Sequence, residues 1–286
     1  MQQPPKALPI KAIILAAGVG SRIRPLTNNC PKSLLQVAGI PILERMIINI
    51  QACGINDVVI VLGYLEKQIR SFVTKRFPDL STSFIVNDKY EDTNTGYSLL
   101  LTKNATKGKG FIKFDADVVF DVKILEKLIA SDTENALCID RNIKLEAEEI
   151  KVVVDDDLRV LQASKSVDPK IALGESIGIE KISAATAEKL FDELDKMMAQ
   201  EANHQEYYEA AYERLMIKDV AFHAVDISGS NWVEIDTRED FATANQIFAT
   251  PIKPISRAKG HRHLLDATST IGFRRGKQPF KITPIA

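Results

Sequence analysis

Short apolar runs alternate with helix-period segments through the first half of the chain, and this alternation restricts the fold more than any other feature. Residues 10–15 (IKAIIL) and 57–62 (DVVIVL) carry unbroken apolar stretches. Strands that are buried on both faces read this way. Between them, apolar residues at 42, 43, 46, 47 and 50 follow helical spacing over 41–53, with Gly54 as a stop. The pattern then predicts a mixed-charge helix at 65–77, a strand at 83–86 and a helix at 95–103 with Asn94 as N-cap. A strand at 110–114, a helix at 122–130 and a strand at 136–139 follow. Such alternation calls for right-handed βαβ crossovers. The expected class is α/β, with a Rossmann-like, mostly parallel mixed sheet and helices on both faces.

The second half reads differently. Residues 150–154 and 159–164 flank Asp155-Asp156-Asp157 as a hairpin with a solvated turn. A strand at 176–181, helices at 184–200 and 205–217, strands at 221–226 and 232–236, and a closing helix at 238–248 complete the expected domain, 1–250. From 251 the chain is rich in Pro, Gly and charge, with eight Lys/Arg against one Asp. It reads as a basic tail or linker, 251–286.

The net charge of −1 gives no global argument for nucleic-acid binding. No apolar run reaches the about 18 residues of a membrane span, and the N-terminus shows no secretory pattern. Three scattered cysteines, Cys30, Cys53 and Cys138, fit reduced thiols. A cytoplasmic protein without nucleic-acid or membrane partners is the expectation. The oligomeric state stays open, a homodimer included.

The chemistry concentrates just after the first strand, in LAAGVGSRIRPLTNNCPKSLL, 15–35. This is not a P-loop, because no G-K-[ST] closes it. It is not a full G-x-G-x-x-G fingerprint either, because residue 23 is isoleucine. Ligands of open α/β sheets bind beyond the carboxyl ends of strands. There the small residues Ala16, Ala17, Gly18, Gly20 and Ser21, following Leu15, let backbone N–H groups approach an anion. Arg22 adds a planar bidentate donor. Pro25 and Pro31 restrict the loop that delivers Lys32, a compact charge suited to a phosphoryl centre.

These residues resemble the N-terminal signature of nucleotidyltransferases that couple an NTP to a phosphorylated small molecule. That family includes sugar-1-phosphate nucleotidylyltransferases and bacterial phosphocholine cytidylyltransferases, and the resemblance spans nearly all of 10–248. It implies that Asp117, the second acid of FDADVVF (114–120), holds a divalent metal, with Asp115 in support. It implies that Asp236 of NWVEIDTREDF (231–241) completes an Mg²⁺ site, with Glu234 beside it. Asp240 falls in the first turn of the closing helix, where the dipole favours it. Lys32 and Arg22 are the implied catalytic cations. An anionic acceptor needs no general base, and no histidine sits in a motif.

The resemblance is nearest to the phosphocholine and phosphonate cytidylyltransferase branch, through NDKYEDTNTGYSLL (87–100). It implies CTP as donor and Gly63, Tyr64, Asn87 and Ser98 near the nucleotide. On the acceptor side it implies Asn94, Glu175, Tyr208 and Glu209. The helix EYYEAAYERLM (206–216) stands where choline-specific relatives carry an aromatic and acidic box. Their tryptophan is missing from it, since the only Trp is Trp232. Acceptors of the phosphocholine, 2-aminoethylphosphonate or 2-hydroxyethylphosphonate type all fit. The alternatives are a sugar-1-phosphate or inositol-1-phosphate nucleotidylyltransferase using UTP, dTTP or CTP, and a non-catalytic nucleotide sensor on the same fold. His261 and His263 lack a third ligand and read as solvated tail residues.

Overall fold

A computed structural model describes residues 10–249. The expected basic tail, 251–286, lies outside the described residues. In chain order the strands are β1 (Lys11–Ala16), β2 (Gln36–Val37), β3 (Ile40–Pro41), β4 (Asp57–Leu62), β5 (Ser81–Val86), β6 (Phe111–Asp115) and β7 (Val118–Phe120). They continue as β8 (Ala136–Asp140), β9 (Lys151–Val154), β10 (Val160–Ser164), β11 (Gly174–Ile182), β12 (His223–Asp226) and β13 (Trp232–Glu234). The helices are α1 (Ile42–Ala52), α2 (Glu66–Arg76), α3 (Thr95–Leu100), α4 (Lys103–Thr106), α5 (Val122–Ala130), α6 (Ala184–Met198), α7 (Glu209–Ile217) and α8 (Arg238–Ile247).

The main sheet is mixed. β6, β1, β4 and β5 run parallel, the arrangement expected from the βαβ alternation. β11 then joins β6 antiparallel and also pairs with β8 and β9, while β10 closes the hairpin with β9. Both faces of β1 are buried. Ala12, Ile14 and Ala16 pack with α1, α2 and α5, whereas Ile13, Leu15 and Ala17 pack with α3, α6 and α7. A strand with a period of two that meets helices on each side must be apolar throughout, which explains the unbroken run.

Two helices depart from the sequence reading. The helix expected at 95–103 divides into α3 and α4. The Thr102 hydroxyl donates to the Leu99 carbonyl at 2.7 Å and so terminates the first helix. The helix expected from 205 begins only at Glu209. The carbonyls of His204 and Glu206 are engaged elsewhere, accepting from the N–H groups of Asn94 (2.8 Å) and Gly96 (3.2 Å). The strand expected over 232–236 ends at Glu234.

β13 pairs antiparallel with β7, with Glu234 opposite Val118, and the Ile235 N–H donates to the Asp117 carbonyl at 3.1 Å. A third apolar cluster locks this ladder to the loop after β1. It joins Ile23, Leu35, Val37 and Ile42 to Val119, Ile235 and Ala244. The loop after β1 is thereby fixed against the two acidic strand ends.

Candidate active site

The loop after β1 folds on itself. Gly20 is left-handed at φ +63°, and a Cβ there would lie 3.1 Å from Thr27 Cγ2 and 3.2 Å from Lys32 Cβ. Thr27 Oγ1 donates to the Gly20 carbonyl at 2.7 Å. The loop can pass this close to its own return only without a side chain at 20. Gly18, Gly20, Ser21 and Arg22 line a cleft of about 1110 Å³, together with Leu15, Ala16 and Lys32.

Three segments that are distant in sequence converge in this cleft. Lys32 Nζ donates to Asp117 Oδ2 at 2.8 Å and to Asp236 Oδ1 at 2.5 Å. Arg22 Nη2 reaches the other Asp236 oxygen at 2.8 Å. Burial opposes the charge on Lys32, but Asp117 and Asp236 outweigh it and hold its pKa above the ordinary lysine value. Burial likewise opposes the charge on Asp117, and the Lys32 ammonium overcomes it, so its carboxyl stays below the usual range. Glu234 is pushed well above that range by burial, then by Asp117 and Asp236. Carboxylate oxygens of Asp117, Glu234 and Asp236 lie within 4.8 Å of one another. Asp117 Oδ1 is buried with no hydrogen-bond partner. Three crowded carboxylates, one of them with an unsatisfied oxygen, suit a hard divalent cation.

Beneath the cleft lies a buried ionic network. Lys113, fully buried on β6, pairs with Asp115 Oδ2 at 2.7 Å and Glu180 Oε2 at 2.8 Å. It also donates to the Tyr208 hydroxyl, which in turn donates to Asp115 Oδ2 at 2.8 Å. β11 clears this network by a bulge. Its register with β8 shifts between Ser176 and Glu180, and Gly178 adopts φ +74° over Asp115.

Not every residue singled out from the sequence reaches the cleft. Asn94, Glu175, Tyr208 and Glu209 line it. Tyr208 is nonetheless only 2% exposed, with its hydroxyl committed to the network below. Asn87 and Ser98 are buried outside the cleft lining, with the Asn87 side-chain amide donating to Ser98 Oγ at 3.1 Å and Thr93 Oγ1 at 2.9 Å. They staple the segment before α3, and the geometry gives no support to nucleotide contact. Gly63 and Tyr64 sit against the loop after β1 and do not line the cleft. The Tyr64 N–H donates to the Ala17 carbonyl at 3.0 Å, and its hydroxyl lies 2.9 Å from the Thr27 carbonyl. Ala17 itself supports the loop from behind.

Sequence reasoning missed Asp140 and Lys113, and it gave Trp232 no role in the cleft. Trp232 Nε1 donates to Asp140 Oδ2 at 2.7 Å, and both residues line the cleft. Asp140 ends β8 as Asp115 ends β6, so an acid at a strand's carboxyl end was the available signal. A buried lysine inside a strand gave no such signal.

Residues 12–203 match the model of the MobA-like NTP transferase domain. The chain belongs to that family. Within the family's wider circle, the chain is 31% identical to the choline-phosphate cytidylyltransferase of Streptococcus pneumoniae over 241 residues, covering 83% of this chain and 98% of the relative. It is 28% identical to the CMP-5′-(3-aminopropyl)phosphonate synthase of Streptomyces rubellomurinus, covering 86% of this chain and 40% of that longer protein. Among solved structures, the CTP:phosphocholine cytidylyltransferase of S. pneumoniae superposes with a TM-score of 0.70 at 29% identity, over 84% of this chain and 99% of that one. The inositol-1-phosphate CTP transferase of T. maritima, at 18% identity and a TM-score of 0.70, shares the fold. Membership makes the chain a nucleotidyltransferase. Among the described residues, no helix is long and apolar enough to cross a membrane.

Proposed function

We propose that this nucleotidyltransferase moves CMP from CTP to a small acceptor bearing a phosphate or phosphonate, releasing pyrophosphate. The observation that carries the reading is Lys32 seated between Asp117 and Asp236, beside the open backbone of 15–21. Relatives named for choline phosphate, aminopropylphosphonate and phosphoglutamine support the choice of CTP and of acceptor class.

In this reaction an acceptor oxygen attacks the α-phosphorus in line. A new P–O bond forms, the bond between the α-phosphorus and the bridging oxygen breaks, and pyrophosphate leaves with the electron pair. The acceptor is already anionic near neutrality, since a second phosphate pKa is about 6. It needs no general base, and no histidine lines the cleft among the described residues. Catalysis rests on positioning and charge. Lys32 sits where it would meet the growing charge of the α-phosphoryl group, and Arg22 where it would receive the leaving pyrophosphate. Gly18, where a Cβ would meet nothing within 4 Å, would leave the loop backbone open to a phosphate.

The carboxylates fit Mg²⁺. Asp117 and Asp236 would hold it, with Glu234 beside them and the unpartnered Asp117 Oδ1 as a free ligand atom. Bound there, the ion would neutralise triphosphate charge. Three free cysteines among the described residues support a reducing, cytoplasmic setting.

The test is pyrophosphate release across the four common NTPs, with phosphocholine, aminoethylphosphonate, hydroxyethylphosphonate, inositol 1-phosphate and glucose 1-phosphate as acceptors. Release with CTP and a phosphate or phosphonate of the first three kinds is expected. Release only with UTP or dTTP and a sugar phosphate would refute the CTP assignment.

A further inference from the structure

Buried polar atoms without partners are rare in proteins, and those that occur call for a ligand or a special role. In this chain several of them face the cleft. One belongs to a residue that lines the same cleft as Lys32: Glu175 on β11 is only 5% exposed, and its Oε2 has no hydrogen-bond partner. The pairing register sets Glu175 directly across from Asp140 on β8 and Lys151 on β9.

Lys151 is the nearest candidate counter-ion, yet its ammonium is already engaged. Its Nζ donates to the carbonyls of Glu146 at 2.9 Å and Glu149 at 3.0 Å, clamping the loop between β8 and β9. The other side chains about Glu175 deepen its need for positive charge. Burial, and then Glu149 and Asp140, push its pKa up to about 8, with a further contribution from Asp236. Asp140 is held in place by Trp232 and by the Asn142 N–H at 2.9 Å. Trp232, Asp140, Glu149 and Glu175 all line the same cleft as Lys32. The Tyr208 hydroxyl, by contrast, is already engaged with Asp115.

We infer that the corner formed by Glu175, Asp140, Glu149 and Trp232 receives a primary ammonium group on the acceptor, so that the preferred substrate is a short aminoalkyl phosphate or phosphonate. This rests on the cytidylyltransferase reading above. The chemistry favours a primary amine over the two neighbouring acceptor types. A buried carboxylate oxygen without a partner is satisfied by an N–H donor, and a charge-assisted bond of this kind is among the stronger ones available. A quaternary ammonium has no N–H to give. A hydroxyl can donate one bond but brings no charge to relieve the repulsion among the carboxylates. With the phosphorus end at Lys32 and the amine end at Glu175, the acceptor would lie across the cleft with its oxygen toward the α-phosphate.

The test is calorimetric titration of the full chain with 2-aminoethylphosphonate, 2-hydroxyethylphosphonate and phosphocholine. Each titration is run with and without Mg²⁺ and the non-cleavable analogue α,β-methylene-CTP. The amine is expected to bind at least about tenfold more tightly than either other compound. Glu175→Gln should remove most of that preference while leaving the affinity for hydroxyethylphosphonate within about threefold, because the swap keeps the shape and removes the charge. Equal affinities in the wild type, tighter binding of phosphocholine, binding of none of the three, or a preference that survives in Glu175→Gln would each overturn the inference. Its fate is separable from that of the parent reading. CTP-dependent pyrophosphate release that is as efficient with hydroxyethylphosphonate as with the amine removes the ammonium site and keeps the cytidylyltransferase. A Glu175-dependent amine preference without release from CTP does the reverse.

Discussion

Lys32 Nζ lies 2.5 Å from Asp236 Oδ1, across 204 residues of chain. The same ammonium reaches Asp117 Oδ2 at 2.8 Å. One side chain from the glycine-rich loop therefore joins two acidic strand ends, and the β7–β13 ladder holds those ends at hydrogen-bonding distance of each other's backbone. Lys32 is 12% exposed, so its charge acts in a medium far less screening than water.

Replacing Lys32 by Ala should lower the single-turnover rate by about 10²-fold or more, the scale of losing one preorganised charge-stabilising donor. Nucleotide affinity, measured by titration, should fall much less, because the loop backbone and Arg22 remain. A loss of affinity with an unchanged single-turnover rate at saturating nucleotide would mean that Lys32 serves binding alone.

Asp117→Ala and Asp236→Asn should each abolish the dependence of nucleotide binding on Mg²⁺. Chelation should stop pyrophosphate release by the wild type, and added Mg²⁺ should restore it. A variant whose nucleotide affinity still rises with Mg²⁺ would place the ion elsewhere.

Acidity should stabilise this protein more than an ordinary set of carboxylates would predict. Burial, chiefly, lifts Glu175 to about 8 and Glu209 to about 7, whereas an unfolded chain leaves them near 4.5. The folded state therefore binds more protons than the unfolded state in that interval. For these two groups stability is fully present below about 4.5 and declines as pH rises through 7 to 8. The urea midpoint of the metal-free protein should fall between pH 5.5 and 8.5. Glu209→Gln should flatten that slope, since the amide does not titrate.

Gly178→Ala should be destabilising out of proportion to one methyl group. The residue is at φ +74°, and its new Cβ would sit 2.4 Å from Asp115 Oδ2. That oxygen cannot swing away freely, because Lys113 and Tyr208 both hold it. The left-handed backbone alone costs about 1–2 kcal/mol for a residue with a Cβ. Urea unfolding at fixed pH measures the total.

Removing Lys113 strands the buried Glu180 and the partly buried Asp115. Lys113→Met should cost about 3–5 kcal/mol, the range for breaking a buried pair from one side. The double variant Lys113→Met/Glu180→Gln should recover part of the loss. Thermal unfolding of the three proteins would show whether the network behaves as a unit.

Much of the fold was legible because its signals are local. The bounds of β4 and α5 follow directly from an apolar run and from helical spacing, and the βα alternation implies the parallel strands β6, β1, β4 and β5. The Asp240 position was legible too: it closes a capping box with Thr237, its N–H meeting Thr237 Oγ1 at 3.1 Å. Where local signals misled, a distant partner had intervened. Residues 205–208 have helical composition, but the start of α3 takes carbonyls from 204 and 206, and the helix waits for Glu209. Asn87 and Ser98 have the chemistry to meet a nucleotide, yet each satisfies the other in the interior.

The sequence by itself determined the α/β class, the cationic glycine-rich loop after β1, and the acids Asp117 and Asp236 close to strand ends. Those features arise from interactions that span a few residues, where period, small side chains and turn chemistry decide the outcome. Only the tertiary structure decided that Lys32 joins the two acids, that Tyr208 is spent on a buried network, and that Glu175 is left without a partner in the wall of the cleft. Each of these depends on which strands lie side by side and where β11 bulges, and pairing across large chain separations leaves no periodic trace in the residues that make it.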